Sequence, residues 1–157
     1  MAIRKIVYIE DELLRKKSRK IENFDRKLHI LLDDMAQTMH DAGGVGLAAP
    51  QVAMLKRVVV MDVGDEHGLI ELINPEIIAC EGEQDGKEGC LSVPGRQGLV
   101  VRPKKVTVRA QDRNGEWFEL TGENLLARCI CHELDHLDGT LYVDKMHKEI
   151  FADDKEA

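Results

Sequence analysis

A chain of 157 residues is the length of one ordinary domain, and 43% hydrophobic with 32% charged residues is the balance of a globular protein that buries a core. Aromatics are only 4%, so Leu, Ile and Val must supply most of the packing, and the formal net charge of −7 gives no overall footprint for nucleic acid or an anionic membrane. Binding to either would need a local patch that the total conceals, and no direct nucleic-acid or membrane binding is expected.

The first thirty residues hold Arg4, Lys5 and the run Glu10-Asp11-Glu12 without an apolar stretch of signal-peptide length, and no later stretch approaches a membrane span. A cytoplasmic location is expected. In that reducing compartment Cys80, Cys90, Cys129 and Cys131 are expected to be free, buried or metal-binding, not paired. After the apolar opening IRKIVYI, the residues Leu28, Leu31, Leu32, Met35 and Met39 recur at helical spacing. They predict an amphipathic helix capped by Asp25 and stopped by Gly43-Gly44. GGVGLAAPQ follows, residues 43–51. It lacks the Lys-Ser/Thr of a phosphate loop, and suits close approach of backbone to a substrate with one amide donor at Gln51.

The middle reads as antiparallel sheet: RVVVMDV, then LIELINPEII with Pro75 between two runs, then KKVTVRAQD and EWFEL joined across Arg113-Asn114-Gly115. KEGCLSVPG reads as a glycine-bounded turn that presents Cys90 from a loop. The last strong element is a helix from an N-cap at Thr121 to Leu137, stopped by Asp138-Gly139. Its apolar residues fall around most of its circumference at ~100° per residue, so it should be buried on nearly every side. The expected fold is α+β, with antiparallel β-sheets surrounding this central buried helix. A single domain is expected over residues 1–157, with residues from about 148 as a frayed tail.

CHELDHLDG lies on that helix. His132 and His136 are one turn apart on the same face, the spacing at which two imidazoles reach one ion, while Glu133 lies ~100° around and can touch a water without ligating. The plain alternative is a pair of core histidines satisfied by backbone carbonyls. A catalytic ion needs a third protein ligand and an open position. The third histidine of one metalloprotease class is replaced by Tyr142, and His147 reads as a surface residue. Cys129 is ~10 Å of helix rise from His136, too far to share one ion comfortably, and Cys131 faces away as a small buried hydrophobe. Cys90 remains. Two rivals stay open: a metalloendopeptidase, and a closed structural zinc site with Glu88 as fourth ligand. Glu88 is better suited to orienting neighbours of the metal.

GVGLAAPQ, EGCLS and HELDH, in this order and at these separations, strongly resemble the peptide deformylases. These enzymes remove the formyl group from the initiator methionine of newly made polypeptides, and the similarity covers nearly the whole chain. The resemblance implies that Cys90, His132 and His136 hold the metal and that metal-bound water is the nucleophile. It further implies that Glu133 is the general acid/base, and that Gln51 with the backbone N–H of Leu91 binds the developing oxyanion. Gly44, Val45 and Gly46 resemble the edge along which the family's peptides lie. By similarity, Val45, Leu125, Cys129 and His132 border the methionine pocket. Spacing and ligand type alone favour zinc. The family points to Fe(2+), with Zn(2+), Ni(2+) or Co(2+) substituting. The implied partners are N-formyl-methionyl peptides and nascent chains. Cys131 stands where many members have Gln, and Arg128 replaces a more usual apolar residue near the pocket. No peptide-contacting residue is assigned around Arg96 and Gln97. The ending FADDKEA is shorter and more acidic than the basic terminal helix some relatives use at the ribosome, so docking by that route is not expected.

Overall fold

The computed structural model of the chain describes residues 2–151. Two helices, α1 (Arg26–Asp41) and α2 (Leu125–Leu137), are set among eight strands. The strands are β1 (Gly46–Ala48), β2 (Val58–Met61), β3 (Ile70–Glu81), β4 (Gln84–Cys90), β5 (Val93–Arg102), β6 (Lys105–Gln111), β7 (Trp117–Glu123) and β8 (Lys148–Ile150). Five form an antiparallel sheet in the order β1-β2-β3-β6-β7, and the other three form a second antiparallel sheet in the order β4-β5-β8.

Helix α1 forms where its apolar period places it. The Asp25 carboxylate accepts from Leu28 N–H at 3.1 Å, satisfying one of the free donors of the first turn. At the other end Gly43, at φ 72, takes the left-handed conformation, and Gly44 N–H donates to Met39 O at 3.0 Å. The alternation of β2 explains how one strand serves two layers. Val58 and Val60 pack with Leu28, Leu32 and Met35 of α1, whereas Val59 and Met61 pack with Leu126, Ile130 and Leu134 of α2. The large sheet therefore separates the helices, and α2 is buried from Leu126 to Leu134 and again at His136 and Leu137.

Four local features differ from expectation. Thr121 is not a cap: it lies in β7 opposite Thr107, with the two hydroxyls 2.9 Å apart, and α2 begins only after Asn124 at φ 55. Ladder pairing with β6 takes that segment as strand. Pro75 does not divide two strands, because it lies within β3 at a register shift between Ile73 and Glu76, where no ladder N–H is required. Asn74, at φ 51, anchors the irregularity by bonding both Ile21 N–H (2.8 Å) and Ile21 O (2.9 Å). Cys90 is presented by the last position of β4, not from a loop. Finally, the tail expected to fray from residue 148 is paired through Lys148–Ile150, which lie opposite Leu99, Gly98 and Gln97 of β5. The rest of that tail, 152–157, lies outside the described residues.

Gly139 ends α2 at φ 80, and a Cβ added there would sit 2.3 Å from Arg15 O. Gly139→Ala is expected to lower stability by more than about 1 kcal/mol, read as a fall in the thermal unfolding midpoint.

Candidate active site and metal centre

Burying α2 on nearly every side forces its polar residues to look for partners inside the protein, and Arg128, His132, Asp135 and His136 find them on β4 and β5. The Cys90 Sγ lies 3.3 Å from His136 Nε2. One ligand atom each from Cys90, His132 and His136 falls within 4.8 Å of the other two. His132 and His136 are buried and Cys90 half-buried. A thiol and two imidazoles converging at the floor of a cavity form a donor set of the kind that holds a divalent transition metal. The structure thus brings together all three residues that the sequence singles out.

Orientation comes from behind. His132 Nδ1 donates to Glu88 Oε1 at 2.8 Å, which directs Nε2 towards the cluster. Arg102 grips Glu88 through both oxygens, at 2.8 and 2.9 Å, and Arg128 donates to Oε2 at 2.7 Å. Both oxygens are thereby occupied, so Glu88 braces His132 instead of completing a closed ligand set. Burial alone pushes the Glu88 carboxyl up, but hydrogen bonds and charge from Arg102 and His132 overcome it and hold the group at about 2. Arg128 also donates to Val100 O at 3.0 Å. Its guanidinium is thus held on Glu88 and backbone carbonyls, while the residue also lines the cavity over the cluster.

Glu133 is 4% exposed, and its Oε1 has no hydrogen-bond partner among the described residues. Burial pushes its carboxyl up to about 7 against the opposing charge of His132. Its Oε2 lies 3.9 Å from His132 Nε2, beside the cluster. His136 is held well below its ordinary range by burial and then by the charge of His132. For His132, burial opposes protonation, but Glu133 and the contacts with Cys90 and Glu88 lift it well above that range.

Gln51 is fixed from both ends. Its Oε1 accepts from Ala48 N–H at 2.9 Å, so its amide nitrogen faces Ser92 Oγ at 3.1 Å and Cys90 Sγ at 3.5 Å. The glycines before it allow close approach: a Cβ on Gly46 would lie 2.5 Å from Glu133 Oε2 and 2.8 Å from Cys129 Sγ. Gly46→Ala should therefore displace Glu133 and reduce turnover while the fold persists, as read by kcat beside circular dichroism.

A cavity of about 340 Å³ opens over these groups, lined by Gly44, Val45, Gly46, Leu91, Leu125 and Cys129 among others. Val45 and Leu125 are half-exposed at its rim. Cys129 is buried, with its Sγ 3.6 Å from Val45 O, and burial keeps its thiol protonated. His147 is outside the cluster, bonded to Asp85 at 2.9 Å. Tyr142 is fully buried with its ring stacked 6.0 Å from His132. Arg102, Ser92 and the packing role of Tyr142 are not visible in the sequence, since none sits in a local pattern.

Residues 3–150 match the model of the family described as polypeptide deformylase. A peptide deformylase of Caldicellulosiruptor bescii is 60% identical over 146 residues, covering 93% of this chain and 87% of that protein. The chain belongs to the polypeptide deformylase family. A deformylase of Lachnoclostridium phytofermentans is 57% identical, covering 96% of this chain and 93% of its own length. Among solved structures, the deformylase of Legionella pneumophila superposes with a TM-score of 0.89 at 53% identity, over 92% of this chain and 86% of that one. That of Synechococcus elongatus, in complex with actinonin, gives 0.87 at 42% identity, over 91% and 78%. The deformylase α+β fold is therefore shared, and it places α2 with its His-Glu-x-x-His turn inside antiparallel sheets. No helix among the described residues is long and apolar enough to cross a membrane.

Proposed function

We infer that this chain is a metal-dependent hydrolase that removes the N-formyl group from the initiator formyl-methionine of newly made polypeptides and releases formate. The observation that carries the site assignment is the convergence of Cys90, His132 and His136 beside Glu133, with the Gln51 amide facing the same cavity. Cys90, His132 and His136 would hold a divalent ion, which would supply a Lewis acid able to acidify water and polarise the formyl oxygen. Glu133 takes a proton from the attacking water and delivers it to the departing amine, which must leave protonated. The Gln51 amide and the backbone N–H of Leu91 stabilise negative charge as it develops on the formyl oxygen.

Strand β1 lies at the edge of its sheet, so the stretch Gly44, Val45 and Gly46 can receive a peptide through backbone hydrogen bonds that ignore downstream sequence. Val45, Leu125 and the protonated thiol of Cys129 form an apolar surround for a flexible thioether. The resident ion is Fe(2+), with Zn(2+), Ni(2+) or Co(2+) able to substitute. The enzyme acts in the cytoplasm on nascent chains.

The deciding experiment is formate release from a formyl-methionyl tripeptide by anaerobically prepared, iron-loaded protein. Formate from that peptide and no reaction with the unformylated one is the expected result. Cleavage of an internal bond in both would point to an endopeptidase instead. In air the iron-loaded form is expected to lose activity faster than the zinc-loaded form, through oxidation of the iron or of Cys90; equal decay would remove the iron assignment.

A further inference from the structure

The net charge of −7 conceals a cationic face. Between residues 15 and 27 seven side chains are basic and two acidic. This segment runs from a short 3-10 turn, Glu12–Arg15, to the start of α1 and is largely exposed. A parallel bridge joins Arg19 to Lys56, with Arg19 N–H donating to Leu55 O and Arg57 N–H donating to Arg19 O, both at 2.9 Å. Between the two stretches lies a groove of about 710 Å³ whose charged lining is Arg19, Lys20, Lys27 and Lys56 against Glu22 and Asp25, a net cationic set in which Asp25 is engaged as the cap of α1. It shares Ala53 with a second hollow that contains Tyr8, whose ring is half-exposed. The groove shares no residue with the active-site cavity.

None of these four cations forms an ion pair among the described residues; for the lysines that is ordinary, since only Lys145 forms one, but for Arg19 it is a departure. Apart from Arg19 and Arg26, every arginine of the described chain meets a carboxylate or, for Arg109, lies 3.9 Å over the Trp117 ring. Arg19 and Arg26 do neither among the described residues, and both belong to this segment. Like charges gathered on an otherwise acidic protein repel one another until a polyanion neutralises them. A row of cations ending near an exposed aromatic ring matches a single nucleic-acid strand, in which phosphates repeat and bases offer faces for stacking. A polycarboxylate would use the charges and leave Tyr8 without a purpose.

We propose that this face binds single-stranded RNA, with Arg19, Lys20, Lys27 and Lys56 following successive phosphates and Tyr8 stacking on a base. The choice of RNA over DNA rests on the function inferred above, since an enzyme acting on newly made polypeptides works among the RNA-rich machinery that makes them. The phosphates would be read without regard to sequence.

The test is fluorescence anisotropy of a labelled oligouridylate with the full chain at about 50 and about 200 mM salt, with formate release measured on the same preparation. Four neutralised phosphates predict a log–log salt slope of about −3. The double variant Lys20→Glu/Lys27→Glu should weaken binding by at least about tenfold and flatten that slope, with formyl-peptide turnover unchanged. Tyr8→Ala should weaken it by about fivefold. No binding by the natural chain at the lower salt, or binding untouched by the double variant, would overturn the proposal. Equal affinity for oligothymidylate or polyglutamate would replace it with a general polyanion surface. RNA binding lost with formate release intact sinks this proposal alone, and the reverse result sinks the functional reading alone.

Discussion

Glu133→Ala is expected to reduce deformylation by roughly 10³-fold, about 4 kcal/mol in the barrier, while metal content stays at the level of the natural chain. The reason lies in where the carboxylate stands. Glu133 is adjacent to His132 in sequence but turned ~100° from the His132 and His136 face, so it borders the cluster without joining the set of converging ligand atoms. Its buried Oε1 has no partner among the described residues, and Oε2 lies 3.9 Å from His132 Nε2. An unpaired buried carboxylate is a burden on the fold. Removing it should therefore leave the unfolding midpoint unchanged or higher, the opposite of what a structural glutamate would do. His132→Ala is the contrasting variant: it deletes a ligand atom and should lose the ion along with activity. Metal content by mass spectrometry of native protein, beside kcat, separates the two. Equal loss of metal in both variants would make Glu133 a ligand and overturn its role as proton carrier.

Most of this site could be read in the chain because helical spacing is a local property. His132, Glu133 and His136 are fixed relative to each other by 3.6 residues per turn, and the all-round apolar pattern of α2 already required their partners to be internal. The start of α2 could not be read, because Thr121 is as good a cap as a strand residue, and the ladder with β6 decides between them only in three dimensions. Strand β4 escaped for the opposite reason. Its sequence, QDGKEGC, carries no apolar alternation, since it is shaped by what it presents: Glu88 inward to the arginines and Cys90 to the cluster. β8 was hidden in the same way by charged residues, one of which, Glu149, ties the strand down through a two-pronged contact with Arg96. Arg102 was invisible because its partners stand 14 and 33 positions away, and long-range charge pairing leaves no periodic trace.

That arginine cluster makes Glu88 the residue whose loss should cost the fold most. In Glu88→Ala, Arg102 keeps Asp135 at 2.7 Å, but Arg128 is left with backbone carbonyls alone, and His132 Nδ1 loses its acceptor. The Glu88 and Arg102 side chains are each 3% exposed, so the truncation removes a buried counter-charge from Arg102 and Arg128. A loss of about 3–5 kcal/mol is expected in denaturant unfolding. Metal affinity should fall by about 10- to 100-fold as His132 loses its orientation. Glu88→Gln separates shape from charge, because its amide oxygen can still accept one hydrogen bond while the ionisation is gone. In the folded chain the Glu88 carboxyl is held at about 2, against 4.5 for the free group. A carboxyl depressed on folding contributes stability above its unfolded value, and that contribution fades as the pH drops towards the folded value. The metal-free natural chain should therefore exceed Glu88→Gln in stability at neutral pH, and the gap should close between about pH 4.5 and pH 2. A gap that stays constant across that range would mean that packing, not the charge of Glu88, holds β4 against α2.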